Sequence, residues 1–396
     1  MDMNCLCVRK WRTIRLSFFT YEYDRNLIGG AGIYALELTK WLPDYCDLSV
    51  YSCEVYGTPT DIFKADWFGK GHGNVTYLPI PNFLRGHGVL SFFYYAAFQR
   101  SPHRADVRLV NDFSLGLNSR PGQPSVQIIH HLPSSEQSPH SLSAQNASKR
   151  LLVAMERRAL ERAEVITCDS EDTKRRVIRV YPAQSGKIRV VPNGVDVELF
   201  HPPVGERCDS ENRESIILCV ARGLEPRKGI KYLIEAMPAV TEVIEAKLVI
   251  VGEASQSVKR QIAEAAQALG VLKNIDIIDP VSLHDLIRLY QSADVTVVPS
   301  ILEGFSKPTL ESMACGTPVI GTAVGAVPEL LGETSGILIK PGDSNAIAEA
   351  LTALLLDKGR VQKMGQCARR RVMEHFTWRS VVRRIFTICE EALAST

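Results

Sequence analysis

The chain is 396 residues long, 45% hydrophobic and 23% charged, with a formal net charge of +2. That length exceeds what a single hydrophobic core organises, so two domains of about 200 residues each are expected, and the near balance of charge argues against nucleic-acid binding driven by bulk electrostatics. The 10 cysteines are scattered, several such as Cys168 and Cys219 within apolar runs, and read as reduced core thiols; Cys5-Leu-Cys7 has no second pair at zinc-site spacing.

Residues 1–12 lack the apolar core and cleavage pattern of a secretory signal, and no apolar run reaches the length of a membrane span. A cytoplasmic protein is expected. The first convincing strand is Ile14–Thr20, followed in the first half by Asp47–Tyr51, Val75–Pro79, Val107–Val110, Val126–His130 and Val165–Cys168. Short apolar strands alternating with helical segments predict an α/β domain, a parallel sheet covered by helices.

After the first strand comes a cluster of Gly29, Gly30 and Gly32 at the start of a helix, where a bare backbone approaches a ligand closely and the helix dipole favours phosphate. The spacing is not the G-x-G-x-x-G of dinucleotide enzymes, and a flexible turn is the competing reading. Residues 80–104 mix aromatic and basic side chains, which reads either as an interfacial element reaching the inner face of a membrane or as a helix buried against the sheet. His130 ends the strand that begins at Val126, at a carboxyl edge, with His131 next to it; a loop histidine bonded to backbone is the alternative. Asn111-Asp112 closes another strand. Residues 149–160 show helical periodicity with a charged, solvated face.

Pro192-Asn-Gly194 and Pro202-Pro203 punctuate a stretch followed by polar residues 205–213, and the domain boundary is placed there. Asn193 is read either as a ligand contact or as part of a turn in which Gly194 supplies a positive φ.

The second half repeats the alternation with strands at Ser215–Val220, Lys247–Val251, Ile275–Ile278, Val295–Val298 and Pro318–Gly321. The first of these breaks into a loop flanked by Arg222 and Lys228, a planar fork of donors and a mobile point charge that together suit the two phosphates of a nucleoside diphosphate. A solvated basic loop is the bland alternative. Further on, the run Glu303-Gly-Phe-Ser-Lys-Pro-Thr-Leu-Glu311 joins a strand to a helix expected to open near Pro308. The amides of Ser306, Lys307, Thr309 and Leu310, with Phe305 beside them, would surround an anionic or polar group. Glu303 on the loop and Glu311 in the first helical turn would grip two parts of one ligand. Both loops follow strands of one parallel sheet and emerge at the same carboxyl edge, where such folds bind ligands.

Arg222 and Lys228, Glu303 and Glu311 eight positions apart, and Met313-Ala-Cys-Gly-Thr-Pro-Val-Ile320 together resemble the donor-binding half of the retaining glycosyltransferases of family 4. The resemblance implies the GT-B fold: two facing Rossmann-like, doubly wound domains with an interdomain cleft. Residues 1–200 would form the acceptor-binding domain and 201–375 the nucleotide-sugar-binding domain, with 376–396 a helix from about Trp378 to Ala394 returning to the first. The implied reaction moves a sugar from a UDP- or GDP-sugar to a hydroxyl on a glycan, lipid-linked or small-molecule acceptor.

In that scheme Glu311 holds the ribose hydroxyls, Glu303 faces the donor sugar, and the backbone near Val281 lines the base. Lys228, Arg222, the helix start and the Gly29-Gly30 amides stabilise the leaving diphosphate, while His130 lies near the reacting sugar. His131 stands where many relatives have aspartate. No two aspartates lie at D-x-D spacing, which fits a metal-independent enzyme with no cofactor. A nucleotide-sugar epimerase, a glycosyl phosphorylase of the same fold and a non-catalytic nucleotide-binding subunit are the rival readings.

Overall fold

A computed structural model describes residues 13–24, 30–43, 46–54, 73–80, 88–98, 105–118, 123–130, 132, 134, 147–205 and 213–395. The chain divides into two compact units. One takes in the chain up to Cys168, Lys174–Val191 and the chain from Val382 on; the other takes in Asp169–Thr173 and Pro192–Val381.

The first unit holds a seven-stranded sheet of β1 (Ile14–Phe19), β2 (Cys46–Glu54), β3 (Asn74–Pro79), β4 (Val107–Val110), β5 (Ser125–Ile129), β6 (Val165–Cys168) and β7 (Ile188–Val190), in the order β3-β2-β1-β4-β5-β6-β7. Every pairing is parallel, with Leu16 of β1 facing Leu48 of β2 on one side and Val107 of β4 on the other. The central strands are buried at every position, as in sheets covered on both faces. Phe19, Val110, Ile129 and Ile166 share one cluster with Met155, Ala159 and Leu160 of the Ala147–Arg162 helix.

Within residues 80–104, Tyr95 and Ala96 of the Gly88–Phe98 helix lie in that core, with Phe92, Phe93 and Tyr94 packed partly against it. This is the buried-helix reading of the segment; residues 81–87 and 99–104 lie outside the described residues. Among the described residues no helix is long and apolar enough to cross a membrane.

The second unit holds a six-stranded parallel sheet of β8 (Ser215–Gly223), β9 (Ala246–Glu253), β10 (Ile275–Ile278), β11 (Val295–Val298), β12 (Val319–Thr322) and β13 (Gly336–Ile339), in the order β10-β9-β8-β11-β12-β13. Alternate residues serve opposite faces. Ile217 and Cys219 of β8 join the core under helices Ile230–Val243 and Ser344–Leu355, whereas Leu218 joins the core under Leu283–Ser292, Lys307–Ala314 and Lys358–His375. In each sheet the strand order reverses direction beside the first strand of the unit, β1 or β8, which is where parallel sheets of this type hold ligands.

Strands β7 and β13 were not among those expected from the sequence. Both are short edge strands, half-exposed and so without the continuous apolar run that marks the interior ones. Gly194 also departs from expectation: it is not among the glycines of positive φ. A Cβ at Gly194 would lie 2.7 Å from the Trp378 ring, so the absent side chain serves close packing. Val195 donates to the Phe376 carbonyl at 2.9 Å and bridges to Thr377, which lays this segment along the start of the Trp378–Ala394 helix.

Candidate functional site

In the second unit the chain leaves β8 through a single turn, Pro226–Lys228, and enters the Ile230–Val243 helix at Gly229, whose φ is 67°. Only glycine fits there on two counts. The backbone is left-handed, and a Cβ would lie 1.9 Å from the Pro299 carbonyl oxygen at the end of β11. The two loops are therefore pressed together, and the Arg227 carbonyl accepts from the Ile301 amide at 2.8 Å. This contact brings Lys228 to Glu303: Nζ donates to Oε2 at 2.7 Å, with the side chains only 14% and 12% exposed.

Glu303 is held from other directions as well. The Ser300 hydroxyl donates to its Oε2 at 3.1 Å. Behind it, Gly325 (φ 55°) packs so closely that a Cβ would fall 2.3 Å from the Glu303 carbonyl oxygen, and the Ala326 amide donates to the Gly304 carbonyl at 2.9 Å. The loop carrying Glu303 is thus clamped between the segment after β8 and the segment after β12.

Ser306 is the one non-glycine residue of positive φ among the described residues, at 66°. A left-handed L-residue costs roughly 1–2 kcal/mol and persists where surroundings over-determine it; here Ser306 is buried and its hydroxyl pairs with that of Thr309 at 2.8 Å. The sharp turn delivers the chain into the Lys307–Ala314 helix. Lys307 takes the first helical position and Pro308 the second, as a helix opening near Pro308 requires, and Glu311 is the fifth residue, just beyond the first turn in which it was expected.

Glu311 projects toward the helix Leu283–Ser292, where the Tyr290 hydroxyl donates to its Oε2 at 2.9 Å. Burial pushes the Glu311 carboxyl above its ordinary range, while the Tyr290 hydrogen bond and the charge of Lys307 pull it back. Burial, followed by the nearby Glu311 charge, raises the Tyr290 phenol well above its usual value. Thr309, Leu310 and Phe305 point into the core, so only their backbones can face a ligand; Val281, soon after β10, packs partly against the same core. Arg222 lies in β8, but its side chain is outside the described residues.

A cavity of about 620 Å³ opens at the carboxyl ends of β8 and β9, lined by Glu225, Arg227, Glu253 and Ser255 among others. A second, of about 870 Å³, lies toward the opposite edge, beside Arg213, Asp294, Gly316 and Arg369. Neither cavity is lined by Lys228, Glu303 or Glu311; the first opens at the same carboxyl edge of the sheet as these groups, the second does not. Among the described residues no group of three or more His, Cys, Asp and Glu could hold a metal ion.

The first unit has its own constellation at strand ends. His130, directly after β5, pairs through Nε2 with Asn111 Oδ1 at 2.7 Å, and its ring meets Tyr34 edge-on at 4.7 Å. Asn111, directly after β4, donates through Nδ2 to Thr20 Oγ1 at 3.1 Å and to the Ala31 carbonyl at 3.0 Å. Gly30 and Gly32 lie in the Gly30–Lys40 helix, where the Gly32 amide donates to Glu22 Oε2 at 3.2 Å. Gly29 and His131 fall outside the described residues. Asp112 has its carboxyl pushed up to about 6 by burial. Asn193 keeps its Oδ1 buried without a hydrogen bond among the described residues.

Sequence reasoning singled out Lys228, Glu303, Glu311, His130 and the strand end at Asn111 as candidates, but not the other groups that hold them: Ser300, Tyr290, Gly229 and Gly325. Tyr290 sits in an amphipathic helix and looks like any core aromatic.

Two family models match the chain, Glycosyltransferase Family 4 over residues 28–199 and Glycosyl transferases group 1 over residues 207–371. The chain is 29% identical over 283 residues to an MMP alpha-(1->4)-mannosyltransferase of Mycolicibacterium hassiacum. That match covers 69% of this chain and 66% of the relative, so the chain spans just under two thirds of the relative's length. Among solved structures it is similar to sucrose-phosphate synthase from Thermosynechococcus elongatus, with a TM-score of 0.75 and 23% identity over 97% of this chain and 100% of that one. It is also similar to Anabaena Alr3699/HepE in complex with UDP and glucose, with a TM-score of 0.71 and 19% identity over 97% of this chain and 100% of that one. These structural likenesses establish the fold, two Rossmann-like domains of the GT-B class.

Proposed function

The chain belongs to the family-4 glycosyltransferases, and we propose that it moves a sugar from a UDP- or GDP-sugar to a hydroxyl acceptor, with retention at the anomeric carbon and without a metal ion. The observation that carries this reading is the Lys228–Glu303 pair at 2.7 Å, fixed at the carboxyl edge of the sheet by Gly229 and Gly325. The UDP and glucose bound by the Anabaena structure support a nucleotide-sugar donor, and the Mycolicibacterium relative's name, a mannosyltransferase, supports sugar transfer.

An ammonium has three protons to donate. Lys228 gives one to Glu303 and has others for the oxygens of a diphosphate, so the glutamate fixes the lysine where negative charge develops. As the bond between the anomeric carbon and the phosphate oxygen breaks, the leaving diphosphate gains charge that Lys228, Arg222 and the start of the Lys307–Ala314 helix stabilise. The acceptor oxygen bonds to the anomeric carbon on the same face, and its proton passes to the departing phosphate oxygen. Glu303 accepts from hydroxyls of the donor sugar through its remaining lone pairs, Glu311 accepts from the ribose, and the backbone near Val281 lines the base. His130 hydrogen-bonds a hydroxyl of the reacting sugar.

Thermal shift with UDP, GDP and ADP and their sugars, with and without EDTA, tests this reading. Ligand at about 100 times its dissociation constant stabilises by about 2.7 kcal/mol. Selective stabilisation by one nucleotide that survives EDTA is expected. No response to any nucleotide would overturn the site, and a response abolished by EDTA would overturn metal independence.

A further inference from the structure

Tyr290 lies in the last turn of the Leu283–Ser292 helix with no exposed surface, its ring edge-on to Phe200 at 6.3 Å. A phenylalanine would fill that volume equally well, and a buried hydroxyl costs stability unless it is bonded. The Tyr290 hydroxyl has one bond, to Glu311 Oε2 at 2.9 Å. Glu311 Oε1 takes no hydrogen bond among the described residues, which leaves one carboxylate oxygen tethered and the other available to a ligand.

The two helices that carry this pair are also tied by side-chain hydroxyls that donate to backbone carbonyls. Thr317 Oγ1 donates to the Tyr290 carbonyl at 2.6 Å, and Ser312, on the helix of Glu311, donates to the Thr317 carbonyl at 3.1 Å. These bonds brace the phenol against the carboxylate.

We propose that Tyr290 is a positioning residue for the Glu311 carboxylate, tethering one oxygen so that the other accepts from the vicinal hydroxyls of a nucleotide ribose. This rests on the nucleotide-sugar reading above. The phenol has a second consequence. A half-buried carboxyl resists ionisation, and only the ionised form accepts from both hydroxyls; Tyr290 and Lys307 are the groups that favour its charge. The groups that act on Tyr290 in turn, besides Glu311, are the thiols of Cys315 and Cys219, neither of which supplies a positive charge. Tyr290 thus sets both where the carboxylate points and the pH at which it becomes an acceptor.

The test is calorimetric binding of UDP and GDP, each beside its 2′,3′-dideoxy counterpart, to the wild-type chain, Tyr290→Phe, Glu311→Gln and the double variant, with melting temperature as the check on folding. Tyr290→Phe should weaken the ribonucleotide about ten-fold at pH 7, the scale of one hydrogen bond to a charged group. It should leave the dideoxy form unchanged and move the acidic loss of ribonucleotide binding to higher pH. Added to Glu311→Gln it should weaken binding no further. Glu311→Asp, which keeps the charge but falls short of the tyrosine hydroxyl, should lose the same discrimination and serves if Tyr290→Phe does not fold. Equal weakening of ribo and dideoxy forms would overturn the proposal in favour of a merely structural tyrosine. A ribose preference that persists in Tyr290→Phe would overturn it while leaving the nucleotide site standing. A wild-type chain that binds neither form would overturn both readings.

Discussion

Lys228 and Glu303, 75 residues apart in the chain, meet at 2.7 Å in a spot where both are largely buried. They came from separate sequence arguments, one as a phosphate ligand and the other as a sugar ligand. Their pairing means that neither can be removed without stranding the charge of the other.

Lys228→Ala should therefore slow transfer by about 30- to 1,000-fold, roughly 2–4 kcal/mol of transition-state stabilisation for the loss of one preorganised donor. It should also lower the melting temperature, because Glu303 is left as an uncompensated carboxylate. Adding Glu303→Gln should recover stability without recovering turnover. Steady-state rates and melting curves on the two single variants and the double separate these effects; near-normal turnover in a folded Lys228→Ala chain would remove the lysine from the mechanism.

Gly229→Ala should damage the same pair without touching either charge. The left-handed backbone at 67° and a Cβ placed 1.9 Å from the Pro299 carbonyl require the loop after β8 to move off β11. Strain and lost contacts together should cost about 2–4 kcal/mol in urea unfolding. Gly186→Ala is the control, since a Cβ there meets nothing within 4 Å and φ is not positive. Equal stability of the two variants would show that the close approach is not needed.

The sheets were legible because interior parallel strands are apolar on both faces: β4, β6 and β11 begin and end where their buried, largely apolar runs do. The edge strands β7 and β13 carry Arg189 or an exposed Leu338 and lack that signature. Among the candidate site residues of the two units, those whose chemistry stands out from their neighbours, Lys228, Glu303 and Glu311 in one and His130 in the other, could be picked out directly. Residues that act through shape could not. Gly229, Gly325 and Gly194 each answer to an atom distant in sequence, and Ser306 adopts a conformation that no local preference of serine predicts.

Asp169 offers a pH test of the fold. It is buried, and burial pushes its carboxyl up to about 6 from 3.8. An acid whose folded pKa lies above its unfolded one binds its proton more tightly when folded. Its ionisation therefore costs stability above about pH 6, and that cost disappears as pH falls below the unfolded value. Asparagine keeps an acceptor for the Thr173 hydroxyl, now at 2.7 Å from Asp169 Oδ1. Asp169→Asn should thus be more stable than the wild type by about 1–3 kcal/mol at pH 8 and indistinguishable near pH 3.5. Urea midpoints at the two pH values decide it; a variant less stable at both would mean that the hydrogen bonds of the carboxylate outweigh its desolvation.

The last prediction concerns the proton on His130. Asn111 Nδ2 donates to the Ala31 carbonyl, which can only accept, at 3.0 Å. The carboxamide is therefore oriented, and the Oδ1 that faces His130 Nε2 at 2.7 Å must accept. The Nε2 position of the imidazole consequently carries a hydrogen, and Nδ1 is the nitrogen that changes protonation state. Replacing the amide by a carboxylate, Asn111→Asp, puts a negative charge at the Nε2–H and should raise the His130 titration midpoint by about one unit or more. Any limb of the pH–rate profile that depends on neutral His130 should move up with it. Asn111→Leu, which removes the acceptor without adding charge, should release the tautomer and slow transfer without that upward shift. Nitrogen-15 NMR of the histidine ring reads the tautomer, and the same spectra followed against pH read the midpoint. A wild-type His130 protonated at Nδ1 when neutral, or a midpoint unmoved by Asn111→Asp, would show that Asn111 does not govern this histidine.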